Sequence, residues 1–285
     1  MGNWFTENLE LVQGQRQQIA VRELLHGERS EYQKIEIYQT ESYRRMLVLD
    51  DIVNVVEADE YCYHEMIAHV PLFSHAEPKR VLIIGGGDGG TLREVLKHPS
   101  VEEAHLCEID RRVVELSREF LPSLAGGFAD PRVRVLYEDG ARWAREHENT
   151  YDVLIVDSTD PVGMAAVLFE YDFFRDCSRA LTEDGILVTQ AENFLLHADL
   201  IQELIGYGKK LFPNPGYYYT HVPTYPGGMI GFTFFSKKYS SGENLEAKLA
   251  DPNIKRWTED LRYWTADIHR ASFVLPAETE RKLFG

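Results

Sequence analysis

Residues Arg80 to Gly90 read RVLIIGGGDGG, and the reading of this stretch decides the fold. Four apolar residues, Val81 to Ile84, run straight into Gly85-Gly86-Gly87, and Asp88 interrupts the glycines. A continuous apolar run suits a parallel strand buried on both faces. Glycines at its end let the chain turn sharply and let a ligand approach the backbone. Thr91 to Lys97 (TLREVLK) then reads as a helix. Strand, glycine-rich turn and helix form the opening unit of a nucleotide-binding α/β fold.

Outward from this unit the chain alternates. Strands are expected over 101–110, 132–137, 152–160 and 185–192, with helices over 111–120, 141–147, 169–181 and 196–212. The last pair, GYYYTHVPTY (216–225) and MIGFTFFSKK (229–238), reads as two strands turned at Pro226-Gly227-Gly228. Such alternation predicts a Rossmann-like, doubly wound, mostly parallel sheet with helices on both faces, the core of class I methyltransferases. Upstream, residues 1 to about 56 follow a period of two, which indicates antiparallel strands and hairpins. Asp59 to His69 reads as a helix capped by an acid. The chain therefore divides into an N-terminal β-domain, 1–58, and a nucleoside-binding catalytic domain, 59–285. The tail from about 240 is mixed helix and loop, and its HRASFVLP ending (269–276) carries no derivable mechanism.

Thirty basic against 46 acidic side chains give a net charge of −16, which argues against nucleic acid as a partner. The acidity suits either a solvated surface or a cationic substrate, and the charge alone does not choose. Cys62, Cys107 and Cys177 are widely spaced and form no CxxC, so a disulfide framework or zinc site is not expected and a reducing compartment is. With no apolar stretch of roughly 18 residues and no signal-peptide pattern in MGNWFTENLE, the expectation is a cytoplasmic protein without a membrane span.

In doubly wound sheets the ligand lies beyond the carboxyl ends of the strands. Here those ends carry Asp88, then Glu108 and Asp110, then Asp139, then Asp157 and Asp160, then Gln190 and Glu192. Like charges a few ångströms apart are unfavourable unless a cation or a proton sits between them, so the site should bind cations. Glu108, 21 residues after Gly87, stands where an acid hydrogen-bonds ribose hydroxyls, or it caps the following helix. A phosphate-binding turn disfavours a nearby acid, and Asp88 sits in that turn. A cationic nucleoside without phosphates fits better than NAD, FAD or ATP. S-adenosylmethionine and its decarboxylated form are such nucleosides.

GGGDGG (85–90), CEID (107–110), EDG (138–140), DSTDP (157–161) and PTYPGG (223–228) together resemble the polyamine aminopropyltransferases, as do YHEM (63–66), the Trp4 region and HRASFVLP. The resemblance spans essentially the whole chain in order. It implies transfer of a 3-aminopropyl group from decarboxylated S-adenosylmethionine, a co-substrate with no permanently bound cofactor, to putrescine, giving spermidine and 5′-methylthioadenosine. It further implies Asp157 as the catalytic carboxylate and Gln33, Glu108, Asp139 and Gly140 as nucleoside-binding positions. Asp88 would hold the donor's amine, and Tyr63, His64, Asp160, Gln190 and Tyr225 would line the diamine channel. The sequence departs from the family twice: Met164 follows DPVG on the adenine side of the donor site, where the family usually has Pro, and Asn54 stands where Gln is common.

The chemistry is consistent with this. A diamine nitrogen is an ammonium at neutral pH, with a pKa of about 10, and must lose a proton before it attacks. A carboxylate acting as general base, Asp157, meets that need. The sulfonium departs as a neutral thioether, so neither a general acid nor a metal is required, and in-line placement should supply much of the rate. An agmatine, cadaverine or spermidine acceptor, a methyltransferase on the same core and a non-catalytic polyamine- or nucleoside-binding protein are the competing readings. N-terminal strands suit pairing between subunits, so a homodimer or homotetramer is expected.

Overall fold

The computed structural model describes residues 2–8, 14, 16–161 and 163–285. Met1, residues 9 and 10 of the N-terminal stretch and Val162 of the DPVGM segment lie outside them. Two sheets organise the chain. The first holds β1 (Asn3–Thr6), β2 (Gln18–Arg29), β3 (Lys34–Thr40), β4 (Arg45–Leu49) and β5 (Ile52–Val56) in sequential antiparallel order. Its Ile35, Ile37, Leu47 and Val55 pack with Val113, Leu116 and Leu121. This contact seats the N-terminal sheet over the helix that follows Asp110.

The second sheet contains β6 (Arg80–Gly85), β7 (Glu103–Cys107), β8 (Val133–Leu136), β9 (Tyr151–Asp157), β10 (Leu181–Gln190), β11 (Asn214–His221) and β12 (Met229–Ser236). Their order is β11-β12-β10-β9-β6-β7-β8. The five strands from β10 to β8 run parallel, and β12 and β11 add an antiparallel edge. The apolar run of the opening motif is buried on both sides, as its composition demands. Val81 and Ile83 join one core while Leu82 and Ile84 join the other, and Val153/Ile155 against Leu154/Val156 of β9 repeat the alternation.

The helices are α1 (Tyr61–Ser74), α2 (Gly90–Val95), α3 (Arg111–Phe120), α4 (Gly140–Glu146), α5 (Tyr171–Ala180), α6 (Ala198–Leu211), α7 (Leu245–Leu249), α8 (Pro252–Thr258), α9 (Ala266–Ala271) and α10 (Ala277–Phe284). Every residue of α1 except Tyr61 is buried, as suits a helix enclosed on all sides. Asp59 does not cap it. The N-cap is Glu60, which makes no side-chain cap bond, while the Asp59 carboxylate accepts hydrogen bonds from Thr224 N (2.9 Å) and Thr224 Oγ1 (3.0 Å). A distant loop supplies the donors that the local helix end would otherwise have offered. The helix expected over 169–181 begins only at Tyr171, because residues 163–169 form a 3-10 turn first. No helix among the described residues is long and apolar enough to cross a membrane, and all three cysteines are free and buried.

Candidate active site

The chain passes from β6 through β7 to β8 on one side, then returns to place β9 on the other side of β6. The switch point of the sheet therefore falls between β6 and β9. Gly85 is opposite Asp157 in this pair, and Gly86 N donates to the Asp157 carbonyl at 2.9 Å. Gly86 has φ +66°, a conformation that suits glycine and turns the chain away from the strand. The room left by the glycines is also used by the protein itself. A Cβ on Gly90 would lie 2.3 Å from the His64 ring, so α2 starts directly against that imidazole.

Asp157 and Asp88 thus face each other across the switch point, and their surroundings push them apart. Asp157 Oδ1 accepts from Tyr63 Oη (2.8 Å) and Oδ2 from Thr91 Oγ1 (2.6 Å). Burial and the neighbouring Asp88 charge nevertheless raise the Asp157 pKa above its ordinary value. For Asp88, burial is outweighed by His64 and by the Gly90 N–H that donates to Oδ1 at 2.7 Å, and its pKa is lowered. Two carboxylates in one crevice are therefore held ready for different tasks.

The cation between the acids is His64, only 2% exposed. Its Nδ1 lies 2.6 Å from Glu60 Oε2 and its Nε2 lies 3.3 Å from Asp88 Oδ1. Burial disfavours the imidazolium, but the carboxylates of Asp88 and Glu60 prevail and lift the pKa to about 10. Arg93 on α2 holds Glu60 from behind, Nη2 to Oε2 at 2.8 Å, and its Nε reaches Glu94 Oε1 at 2.7 Å. Glu60, Thr91 and Arg93 escaped the sequence reading. The four-residue spacing from Glu60 to His64 was the available signal for the first of them.

A second acid group lies at the end of β10. A hydrogen bond joins the carboxyl groups of Asp160 and Glu192, and burial raises both pKa values, Glu192 well above the usual range. His197 Nδ1 lies 3.2 Å from Glu192 Oε2. Glu192 has φ +60°, unusual for a side-chain-bearing residue, and its carbonyl accepts from Tyr217 Oη at 2.8 Å. Glu7, 1% exposed, accepts from Val53 N at Oε1 (2.8 Å); burial and Asp160 raise its pKa to about 7. Nothing in the sequence pointed to Glu7, which reaches this group from the N-terminal sheet. Gln190 Nε2 approaches Glu192 Oε1 at 3.4 Å, and Gln190 Oε1 is buried with no hydrogen-bond partner among the described residues.

On the other side of the switch point, burial raises Glu108 to about 7, reinforced by Asp110, Asp157 and Asp88. Glu108 Oε1 accepts from Asp110 N (2.8 Å), and Asp110 accepts from Gln33 Nε2 (3.0 Å) and caps α3 through Arg112 N (3.0 Å). The cap of α3 is thus Asp110 and not Glu108. Asp139 is exposed and caps α4, accepting from Ala141 N and Arg142 N, with Gly140 buried behind it. Tyr225 Oη donates to Asn54 O at 2.5 Å, and its ring meets Tyr63 at 6.0 Å. Met164 stands 55% exposed on the 3-10 turn. The structure therefore gathers Tyr63, His64, Asp88 and Asp157 tightly and joins Asp160 with Gln190 through Glu192. It ties Gln33 to Asp110, whose backbone N–H donates to Glu108, and leaves Asp139 and Met164 towards solvent.

Two family models match in tandem: the spermidine synthase tetramerisation domain over residues 3–57 and the spermine/spermidine synthase domain over residues 60–245. A polyamine aminopropyltransferase of Leptospira biflexa is 49% identical over 273 residues, covering 96% of this chain and 95% of its own. A spermidine synthase of Dictyostelium discoideum is 43% identical over 282 residues, with coverages of 98% and 97%. Among solved structures, a spermidine synthase in complex with the transition-state analogue AdoDATO superposes with a TM-score of 0.93 at 37% identity. It covers 99% of this chain and 94% of that one. The spermidine synthase of Thermotoga maritima gives 0.91 at the same identity and coverages. A glycine turn that carries an acid, a second acid across the switch point and this likeness along nearly the full length have one explanation: the chain belongs to the spermine/spermidine synthase family.

Proposed function

We propose that the chain is an aminopropyltransferase that moves a 3-aminopropyl group from decarboxylated S-adenosylmethionine to putrescine, releasing spermidine and 5′-methylthioadenosine. The observation that carries this reading is the opposed pair at the switch point. Asp88, kept an anion, holds the donor's terminal ammonium, and Asp157, with its raised pKa, takes the proton from the attacking amine. Tyr63 and Thr91 fix the two Asp157 oxygens. The second acid group, with the orphaned Gln190 Oε1 beside it, suits the far ammonium of a diamine, and Tyr225 flanks the alkyl chain between the two. Glu108 with Gln33 would meet the ribose, and Asp139, Gly140 and Met164 would meet the base.

The displaced sulfur leaves neutral, so no metal is needed. We further read 1–58 as an assembly domain and 59–285 as the catalytic domain. The assembly is a homodimer or homotetramer, and the free cysteines fit a reducing cytoplasm. The test is a panel of both sulfonium donors against putrescine, cadaverine, agmatine, norspermidine and spermidine, with products identified by mass spectrometry. Putrescine with the decarboxylated donor should give the highest kcat/KM. Comparable turnover with S-adenosylmethionine, or methylthioadenosine release that needs no amine, would remove the proposal.

A further inference from the structure

His64 raises a question that the aminopropyl-transfer reading leaves open: a buried cation occupies the place where a cationic substrate must bind. Its ring is packed against the start of α2 and fixed on both nitrogens, with Glu60 on Nδ1 and Asp88 on Nε2. The charged and titratable groups that face it come from every neighbouring element: Glu60 at the head of α1, Asp88 in the turn after β6, Arg93 on α2 and Asp157 at the end of β9, with the Tyr63 ring edge-on at 5.3 Å. Tyr225 stands behind Tyr63. An ammonium placed on Asp88 beside an imidazolium would put two cations within a few ångströms of each other, which is strongly unfavourable away from water. One of the two must give up its charge or leave.

We propose that His64 is a resident counter-ion for Asp88 that loses its Nε2 proton when the donor's ammonium binds. The inference rests on the donor reading above. The proton balance is simple: imidazolium and ammonium enter, neutral imidazole and bound ammonium remain, and one proton passes to solvent. Glu60 decides which nitrogen is stripped. Its 2.6 Å contact retains the proton on Nδ1, and Arg93 keeps Glu60 an anion. The freed Nε2 lone pair then accepts a hydrogen bond from the arriving ammonium. The site is thus neutralised by its own cation while empty and does not collapse on two bare carboxylates. Methylthioadenosine, which has no amine, leaves the pair undisturbed.

Calorimetry in two buffers of different ionisation enthalpy reads the proton directly. At pH 7.5 the decarboxylated donor should release close to one proton per site and methylthioadenosine close to none. Donor affinity should rise roughly tenfold per pH unit between pH 7 and 9, because one proton is released on binding. Methylthioadenosine affinity should stay flat. His64→Gln should bind both ligands, release no proton and lose the pH slope. In the unaltered protein, the His64 Nε2 nitrogen signal should change from protonated to bare on donor binding, a readout that does not depend on the variant folding. Equal proton counts for the two ligands, release that persists in H64Q, or an Nε2 that stays protonated would each overturn the inference while the donor reading stands. Binding of neither nucleoside would overturn both.

Discussion

Asp157 and Asp88 are the same side chain pushed in opposite directions by what surrounds them. Asp88 has a cation and a backbone N–H; Asp157 has two hydroxyls and a negative neighbour. A base that must be unprotonated to work loses activity as pH falls through its pKa, so a raised Asp157 pKa moves the acid limb of kcat/KM upward from the ordinary aspartate range. Tyr63 and Thr91 oppose that rise, since their hydroxyls favour the carboxylate. Thr91→Val should therefore shift the acid limb further towards alkaline pH, a change that loss of packing alone would not produce. Asp157→Asn should lower turnover by roughly 10²- to 10⁴-fold while methylthioadenosine still binds. Initial rates across pH together with calorimetry of both variants check this, and a near-normal rate for D157N would take the base role from Asp157.

Among the elements, α1 matters most, because it carries Tyr63 and His64 and is enclosed on every side. Its other face is fastened by Glu65, 2% exposed, whose carboxylate accepts from the backbone N–H groups of Arg262 (2.9 Å), Tyr263 (2.8 Å) and Trp264 (2.7 Å). Trp264 then stacks on Phe73 with ring centroids 4.4 Å apart. The tail is thereby a clamp on the helix that presents the site. Glu65→Ala would strand three donors and should lower stability by roughly 3–5 kcal/mol, with Glu65→Gln milder; urea unfolding at fixed protein concentration measures both. The sequence could not show this clamp, since its partners lie about 200 residues apart and one side is plain backbone. Asp59 misled for the same reason: an acid before a helix reads as a cap until Thr224 arrives from another loop. What was legible was local or periodic. The two-sided apolar run of β6, the strand–helix alternation and the acids at successive strand ends all follow from short-range rules. The identity of the cation between those acids did not, because His64 is chosen by burial and by Glu60 together.

At the scale of the whole molecule, the N-terminal domain lends Gln33 and Glu7 to the surroundings of the site and also presents an open sheet. Its strands run in sequence from β1 at one edge to β5 at the other, and they leave Trp4 60% and Leu24 51% exposed. Large apolar side chains on an open sheet mark a contact surface more readily than a solvated one. Each subunit carries a net charge of −16, so a stable contact must overcome mutual repulsion with apolar area. In a two-fold interface the same patch meets itself, and one substitution is felt from both sides. Trp4→Glu with Leu24→Glu places new carboxylates against each other on a chain that is already acidic. Light scattering after gel filtration should give a dimer or tetramer for the unaltered protein and at most half that mass for the double variant. Tyr63, Thr91 and His64, which hold Asp157 and Asp88, belong to the same chain as the two acids, so the smaller species should still bind methylthioadenosine. A variant that keeps its full mass would move the contact surface away from these two residues. One that dissociates and also loses the nucleoside would show that assembly holds the site together.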